Sequence, residues 1–279
     1  MSAPRSNRLG AYGFALEGLP DARDLLVEAP PAWPTLTVLR APGGERPEVE
    51  TVTDDHAQLW LASGASAELD RRAGRAEMHV PEGTSDAALV HPYLAPVALI
   101  MARWLGREGM HGGAVVVGDG AWAVLGDKTA GKSTALAALA LRGVPVVSDD
   151  VLVIDDGNVL AGPRSLDLRE EAARRLGVGE SMGRVGARER WRHRLGPVAP
   201  ELPLRGWITL EWGDEIAVEP LAGAARLAAL LPHRGVRLAP TIPHALLRLS
   251  RLPHLRLVRP RRFELLDEVT TRLLGALAG

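Results

Sequence analysis

Gly126-Asp127-Lys128-Thr129-Ala130-Gly131-Lys132-Ser133 sits between the apolar run "AWAVL" and the helix-forming run "STALAALALR". It fits the pattern G-x-x-x-x-G-K-[ST], which needs a strand before it and a helix after it, and the sequence supplies both. No other stretch restricts the fold as much, because a helix fed by such a loop must return over the sheet it left. The loop's backbone N–H groups and those of the first helical turn converge on one concavity, where the helix dipole adds positive potential suited to a polyphosphate. Lys132 is then placed to neutralise β- and γ-phosphates, and the Ser133 hydroxyl to ligate Mg2+. Gly126, Asp127, Lys128, Thr129, Ala130, Gly131, Lys132, Ser133 and Thr134 are therefore the candidate nucleotide-binding residues.

The lysines sharpen this reading. Of the 33 Lys and Arg residues, only Lys128 and Lys132 are lysine. In a chain where arginine has replaced lysine elsewhere, a retained lysine points to a place where a compact ammonium fits and a planar guanidinium fork does not. Lys132 meets that condition between phosphates. Lys128 has two open readings, a phosphate contact or a solvated loop tip.

The remaining composition narrows the class. A net charge of -1 supplies no global field for nucleic acid or an anionic membrane, so neither is expected as a partner and an anion site must be local. Without cysteine there is no disulfide framework and no thiolate metal site, which is compatible with a reducing compartment. "MSAPRSNRLG" has no apolar core of a secretion signal, and the longest apolar run, Leu94 to Leu105, holds an arginine and is too short to span a bilayer. A cytoplasmic protein of one large or two modest domains is expected. Association with a second copy stays open.

Along residues 10 to 80, short apolar runs ("TLTVLR", "VETVT", "QLWLAS", "AELDRR", "AEMHV") alternate with Pro and Gly turns, which predicts a small β-rich N-terminal domain, residues 1–90. A helix from about Thr84 to Leu105 marks the boundary to a second domain, residues 91–279. There "AVVV" and "AWAVL" form a hairpin around "GDG". Pairing Val117 with Ala121 sets His111 opposite Gly126 and Asp127, beside the loop. "VPVVS", "VLVID", "LRGWITLEW" and "EIAVEP" are predicted strands, while "SLDLREEAARRLG", "LAGAARLAALL" and "FELLDEVTTRLLGALAG" are predicted helices. Residues 179 to 201 are assigned to a loop or short helix, Arg248 to Arg262 to the surface, and Trp191, Trp207 and Trp212 to packing.

A phosphate loop needs an acidic group for its metal. A right-handed parallel crossover would bring "VVSDD" back at the loop end of the sheet, with Asp149 and Asp150 on opposite sides of an extended chain. One carboxylate would hold Mg2+ and the other would face an acceptor hydroxyl. His111 gains a catalytic or pKa-tuning role from the hairpin register alone. The run "GRVGARERWRHRLG" offers Arg188 and Arg192 as transition-state arginines, an acidic-peptide site, or a solvated charge run.

Together, "MHGGAVVV", "GDKTAGKST" and "SDDVLVID" resemble the kinase domain of HPr kinase/phosphorylase and its relatives, whose fold is similar to phosphoenolpyruvate carboxykinase. The resemblance covers roughly residues 92–279, and "AYGFALEGLPDARDLL" resembles the start of small HPr kinase-like proteins found beside lasso-peptide and other peptide-modifying genes. It implies an α/β fold, with a P-loop core of mixed sheet flanked by helices and a small N-terminal β-rich domain that helps to bind the acceptor. It implies that Asp149 takes the acceptor's proton with His111 close by, and that Asp150 joins Ser133 around Mg2+. The activity implied is an ATP-dependent kinase acting on a serine of a lasso-type precursor peptide or small protein. A small-molecule hydroxyl kinase and a non-catalytic ATP-binding regulator remain alternatives. Lys128-Thr129 stands where the family usually has Ser-Gly, although threonine tolerates positive φ poorly. The glycine-rich segment that follows the aspartate pair in HPr kinases is missing, which argues against HPr as the acceptor.

Overall fold

The computed structural model describes residues 8–43, 48–61, 64–185, 188–236 and 244–278. The chain is a mixed α/β protein whose sheets are flanked by helices. In the N-terminal part, eight strands form one sheet in the order Val27–Glu28, Leu9–Ala11, Phe14–Glu17, Thr35–Pro42, Arg75–Val80, Ser66–Asp70, His56–Trp60 and Thr51–Val52. The five apolar runs all fall on strands of this sheet, whereas its first two and its short edge strand carried too few alternations to be predicted. Residues 1–7, most of the polar start of the chain, lie outside the described residues.

A nine-stranded mixed sheet follows. Its main path runs Val146–Ser148, Gly113–Val117, Gly120–Leu125, Glu201–Trp212, Asn158–Leu160, Val151–Asp155 and Glu108–His111, and His254–Arg259 with Ala217–Pro220 extend it beside Glu201–Trp212. Between the two sheets lies the helix Leu94–Trp104, which buries Leu94, Ala95, Val97, Ala98, Leu99, Ile100, Met101 and Ala102 and packs on strands of both. The approach is close: a Cβ on Gly109 would lie 2.4 Å from Leu99 Cδ2, so a side chain there would have to push the Leu99 methyl aside. The whole segment Asp86–Trp104 is long and apolar enough to cross a membrane by length and composition, yet 72% of it is buried inside the protein. It serves as a core helix.

On the opposite face of the nine-stranded sheet, Lys132–Leu141 packs against the C-terminal helix Leu266–Ala278, with Leu136, Leu139, Ile208, Leu257, Val269 and Leu273 in a second core. The strands Gly120–Leu125 and Val146–Ser148 are each antiparallel to Gly113–Val117 between them and are therefore parallel to one another. The crossover through the helix thus ends beside its starting loop, one strand over.

Three expectations change. "SLDLREEAARRLG" is a strand, Ser165–Leu168, and only then a helix, Glu170–Leu176. The arginine-rich segment is no loop: Glu180–Val185 and Arg188–Arg194 join Ser165–Leu168 in a three-stranded sheet. The Pro- and Arg-rich tail contains the strand His254–Arg259, parallel to Glu201–Trp212.

The three-stranded sheet is tied to the edge strand by Arg164. This side chain is 4% exposed and donates to the carbonyls of Val147 (3.1 Å), Val146 (2.5 Å) and Gly196 (2.8 Å). Arg164→Ala should lower unfolding free energy in urea by about 2–4 kcal/mol, because buried carbonyls lose their donors. Arg205→Ala, which breaks an exposed pair with Asp119, should cost less than about 1 kcal/mol. Equal losses would contradict the strut role of Arg164.

Candidate active site

Asp127-Lys128-Thr129-Ala130 is a turn closed by the Ala130 N–H on the Asp127 carbonyl (3.0 Å), with Thr129 at φ +73°. Its third residue occupies the left-handed region where turns of this kind usually carry glycine. The turn thus holds a β-branched residue at its left-handed position. Gly131, at φ +79°, then starts the helix Lys132–Leu141. Lys132 is 9% exposed and folds back, its Nζ donating to the carbonyls of Gly126 (2.7 Å) and Asp127 (3.3 Å). Burial lowers its pKa, and Asp150, Asp149 and Asp127 oppose that shift. Lys128, Ser133 and Thr134 line the same cleft, of about 640 Å3.

The aspartate pair reaches this cleft, but not on an extended chain. Asp150 has φ +71°, and the Val151 N–H returns to the Asp149 carbonyl (2.9 Å), so a tight turn rather than strand alternation separates the two carboxylates. Asp149 is 3% exposed and accepts a hydrogen bond from Ser133 Oγ (3.1 Å). Burial, and after it the charge of Asp150, push its pKa up to about 7. Asp150 is more open and faces His111, with Nδ1 to Oδ1 3.9 Å. Ser133 was paired with Asp150 in the resemblance; its direct partner here is Asp149.

His111 arrives by a different route from the one the hairpin suggested. The hairpin register is Val116 with Ala121, one residue away from the predicted pairing, and His111 lies on a separate strand, opposite Val151. It still lines the cleft, and its pKa is lowered by burial and by Lys132, against Asp150. Tyr12, from the N-terminal sheet, is fully buried, and its hydroxyl pKa is raised by burial and then by Asp150 and Asp149.

The two candidate arginines separate. Arg188 is exposed and lines the cleft. Arg192 does not line it: 4% exposed, it grips Asp167 through Nε to Oδ1 (2.8 Å) and Nη2 to Oδ2 (3.0 Å) and donates to the carbonyls of Ala87 and His91. Arg190, between them, lines the cleft and pairs with Asp167 at 3.4 Å. Arg259, expected at the surface, is 4% exposed and donates to the Ala130 carbonyl at 2.6 Å. Trp207 is a packing residue as expected, fully buried with Nε1 on the Leu249 carbonyl (3.0 Å), whereas Trp212 is 41% exposed and lines the cleft.

Among the described residues no group of three or more His, Asp or Glu could hold a metal ion. Ser133 with one or two neighbouring carboxylates nonetheless matches what Mg2+ needs, because that ion takes its other ligands from water and phosphate.

No family model and no curated protein matches the chain. Among solved structures it is similar to one described as the Hpr(Ser) kinase/phosphatase from Coxiella burnetii, with TM-score 0.29 and 11% identity over 62% of this chain and 99% of that one. The overlap is too loose to transfer any residue role.

Two outcomes follow from the geometry. Thr129→Gly should relieve the left-handed strain and raise stability by about 1 kcal/mol in denaturant titrations. A raised carboxylate pKa contributes stability that is complete below about pH 4 and lost as pH rises to about 7. In metal-free protein, Asp149→Asn should therefore raise the melting temperature at pH 8 and leave it nearly unchanged at pH 4. The reverse pattern would mean that the Asp149 carboxylate is stabilised as an anion.

Proposed function

We propose that the chain is an ATP- and Mg2+-dependent kinase with an HPr kinase-like P-loop core, transferring the γ-phosphate to a hydroxyl. The supporting observation is the hydrogen bond from Ser133, at the start of the loop helix, to Asp149, a carboxylate whose pKa is raised to about 7. Such a group can accept a proton at neutral pH and stands at the loop where a γ-phosphate would lie.

The loop N–H groups, with Gly126, Gly131 and Thr134 around them, would cradle the phosphates. Lys132 would exchange the Gly126 and Asp127 carbonyls for phosphate oxygens, a short swing for a flexible stem. Ser133 and Asp150 would hold Mg2+, which neutralises charge on the β- and γ-phosphates when bound. Asp149 takes the proton as the acceptor oxygen attacks the γ-phosphorus in line. One P–O bond forms, the bond to the β-phosphate oxygen breaks, and ADP leaves. His111, whose pKa is lowered, is neutral in this reading and leaves the Asp150 charge to the metal. Arg188, exposed on the cleft wall, is the arginine available to the transferring phosphoryl group, whereas the contacts of Arg192 suit a strut.

The acceptor we assign is a serine of a ribosomally made, lasso-type precursor peptide or small protein, bound with help from the N-terminal β-rich part, residues 1–90, in the cytoplasm where peptide and ATP meet. An open cleft lined by Arg169, Arg188, Arg190, Arg261 and Arg262 supports a peptide over a closed small-molecule pocket.

Incubation with γ-labelled ATP and a panel of serine and threonine peptides, with free serine as the small-molecule control, should label peptide only. Asp149→Asn should reduce transfer about 100- to 10,000-fold while ATP binding persists. Asp150→Asn should raise the Mg2+ concentration needed for half-maximal rate. An unchanged rate in Asp149→Asn would remove Asp149 as the base, and no transfer to any acceptor would overturn the kinase reading.

A further inference from the structure

The parallel strands of the nine-stranded sheet end at the cleft in a fixed order. Across one intervening strand from the loop, Val146–Ser148 delivers Asp149 and Asp150. On the other side, Glu201–Trp212 runs directly alongside Gly120–Leu125, with Thr209 opposite Leu125, and His254–Arg259 follows next, with Arg259 opposite Trp212. Trp212 and Arg259 therefore rise three residues beyond the level at which the loop begins, roughly 10 Å at strand rise. A triphosphate lying across the loop with its γ end at Ser133 and Asp149 carries its α-phosphate, sugar and base toward this second side.

Trp212 is built into that side as a held, open ring. Arg259 lies over the indole at 4.1 Å while its Nη2 is fixed on the Ala130 carbonyl at 2.6 Å. A Cβ on Gly131 would lie 3.4 Å from Trp212 Cη2, so the indole edge stands beside the loop. Arg261 lies 5.8 Å from the ring centroid, and the residue nevertheless stays 41% exposed and lines the cleft. Arg259 Nε is buried without a hydrogen-bond partner, so the face of the indole is part of what this cation has in place of water. A tryptophan partly open at a cleft, beside the loop and against a buried guanidinium, suits a planar ligand.

We propose that Trp212, positioned by Arg259, is the platform on which the base of a purine nucleoside triphosphate stacks. This rests on the nucleotide-binding reading of the loop. Pro260, Arg261 and Phe263 line the same cleft, and stacking on an indole needs only the π-face that every base has.

The test compares MgATP with magnesium tripolyphosphate, which has the phosphates and no base, by calorimetric titration of the full chain. Wild type should bind ATP more tightly than tripolyphosphate. Trp212→Leu should weaken ATP roughly 5- to 100-fold, the range expected for one base–aromatic stack, and leave tripolyphosphate within about twofold. Trp212→Phe should recover most of the ATP affinity. Retained tripolyphosphate binding also shows that the variant has folded. ATP binding unchanged in Trp212→Leu, or ATP and tripolyphosphate weakened equally, would overturn the platform while leaving the nucleotide reading intact. If wild type bound neither ligand, the nucleotide reading would fall and the platform with it.

Discussion

The hydrogen bond from Ser133 to Asp149 depends on two parallel strands that run toward the same end of the sheet with a third strand between them, Ser148 lying level with Ala123 across Ala114. Gly120–Leu125 sets down the loop, Val146–Ser148 sets down the aspartates, and the helix that joins them leaves little freedom in where its end arrives. Asp149 follows the edge strand Val146–Ser148 yet is only 3% exposed, and that burial raises its pKa. The same constraint makes the site one-sided: acidic groups on the strand past Gly113–Val117, aromatic and guanidinium groups on the strands past Leu125.

Arginine carries much of the remaining architecture. Arg107 donates to Asp155 (2.8 Å) and to the Gly13 carbonyl (2.9 Å), joining the central sheet to the N-terminal one. Arg164 ties the edge strand to the three-stranded sheet, Arg192 ties that sheet to the segment before the core helix, and Arg259 ties the last parallel strand to the loop. Arg107, Arg164 and Arg192 each satisfy several acceptors from one planar group with five donors, a fixed fork that an ammonium on a flexible stem lacks. The bias toward arginine therefore has structural uses here, and Lys132 stands apart because its acceptors are the loop's own carbonyls, of Gly126 and Asp127.

The strand, loop and helix around Gly126 were legible because each is a local pattern, and the arrival of the aspartates followed from the crossover rule. His111 came to the right neighbourhood through an incorrect register: the chain breaks at Gly112 and pairs instead with the strand that carries Val151. The arginine-rich hairpin escaped prediction for a definite reason. Along Arg188–Arg194 the buried positions are Arg190 and Arg192, so the inward face of the strand is guanidinium neutralised by Asp167 and carbonyls. Apolar periodicity cannot report a strand whose inside is charged. His254–Arg259 was hidden similarly, its buried ends being histidine and arginine. At "SDD" the sequence allowed both an extended chain and a turn between strands, and Asp150 at φ +71° takes the turn, a conformation that aspartate adopts more readily than most residues.

The N-terminal sheet bears on the aspartates as well as on the core. Tyr12 lies on its first hairpin, its N–H bonded to the Ala161 carbonyl (2.7 Å), and its ring is buried where its hydroxyl feels Asp150 and Asp149. Burial is the largest cause of the raised pKa of Asp149, followed by the charge of Asp150, and the Ser133 hydrogen bond opposes both. The proton affinity of Asp149 is therefore set by its burial and by the neighbouring Asp150 charge, against the hydrogen bond that Ser133 donates from the loop helix.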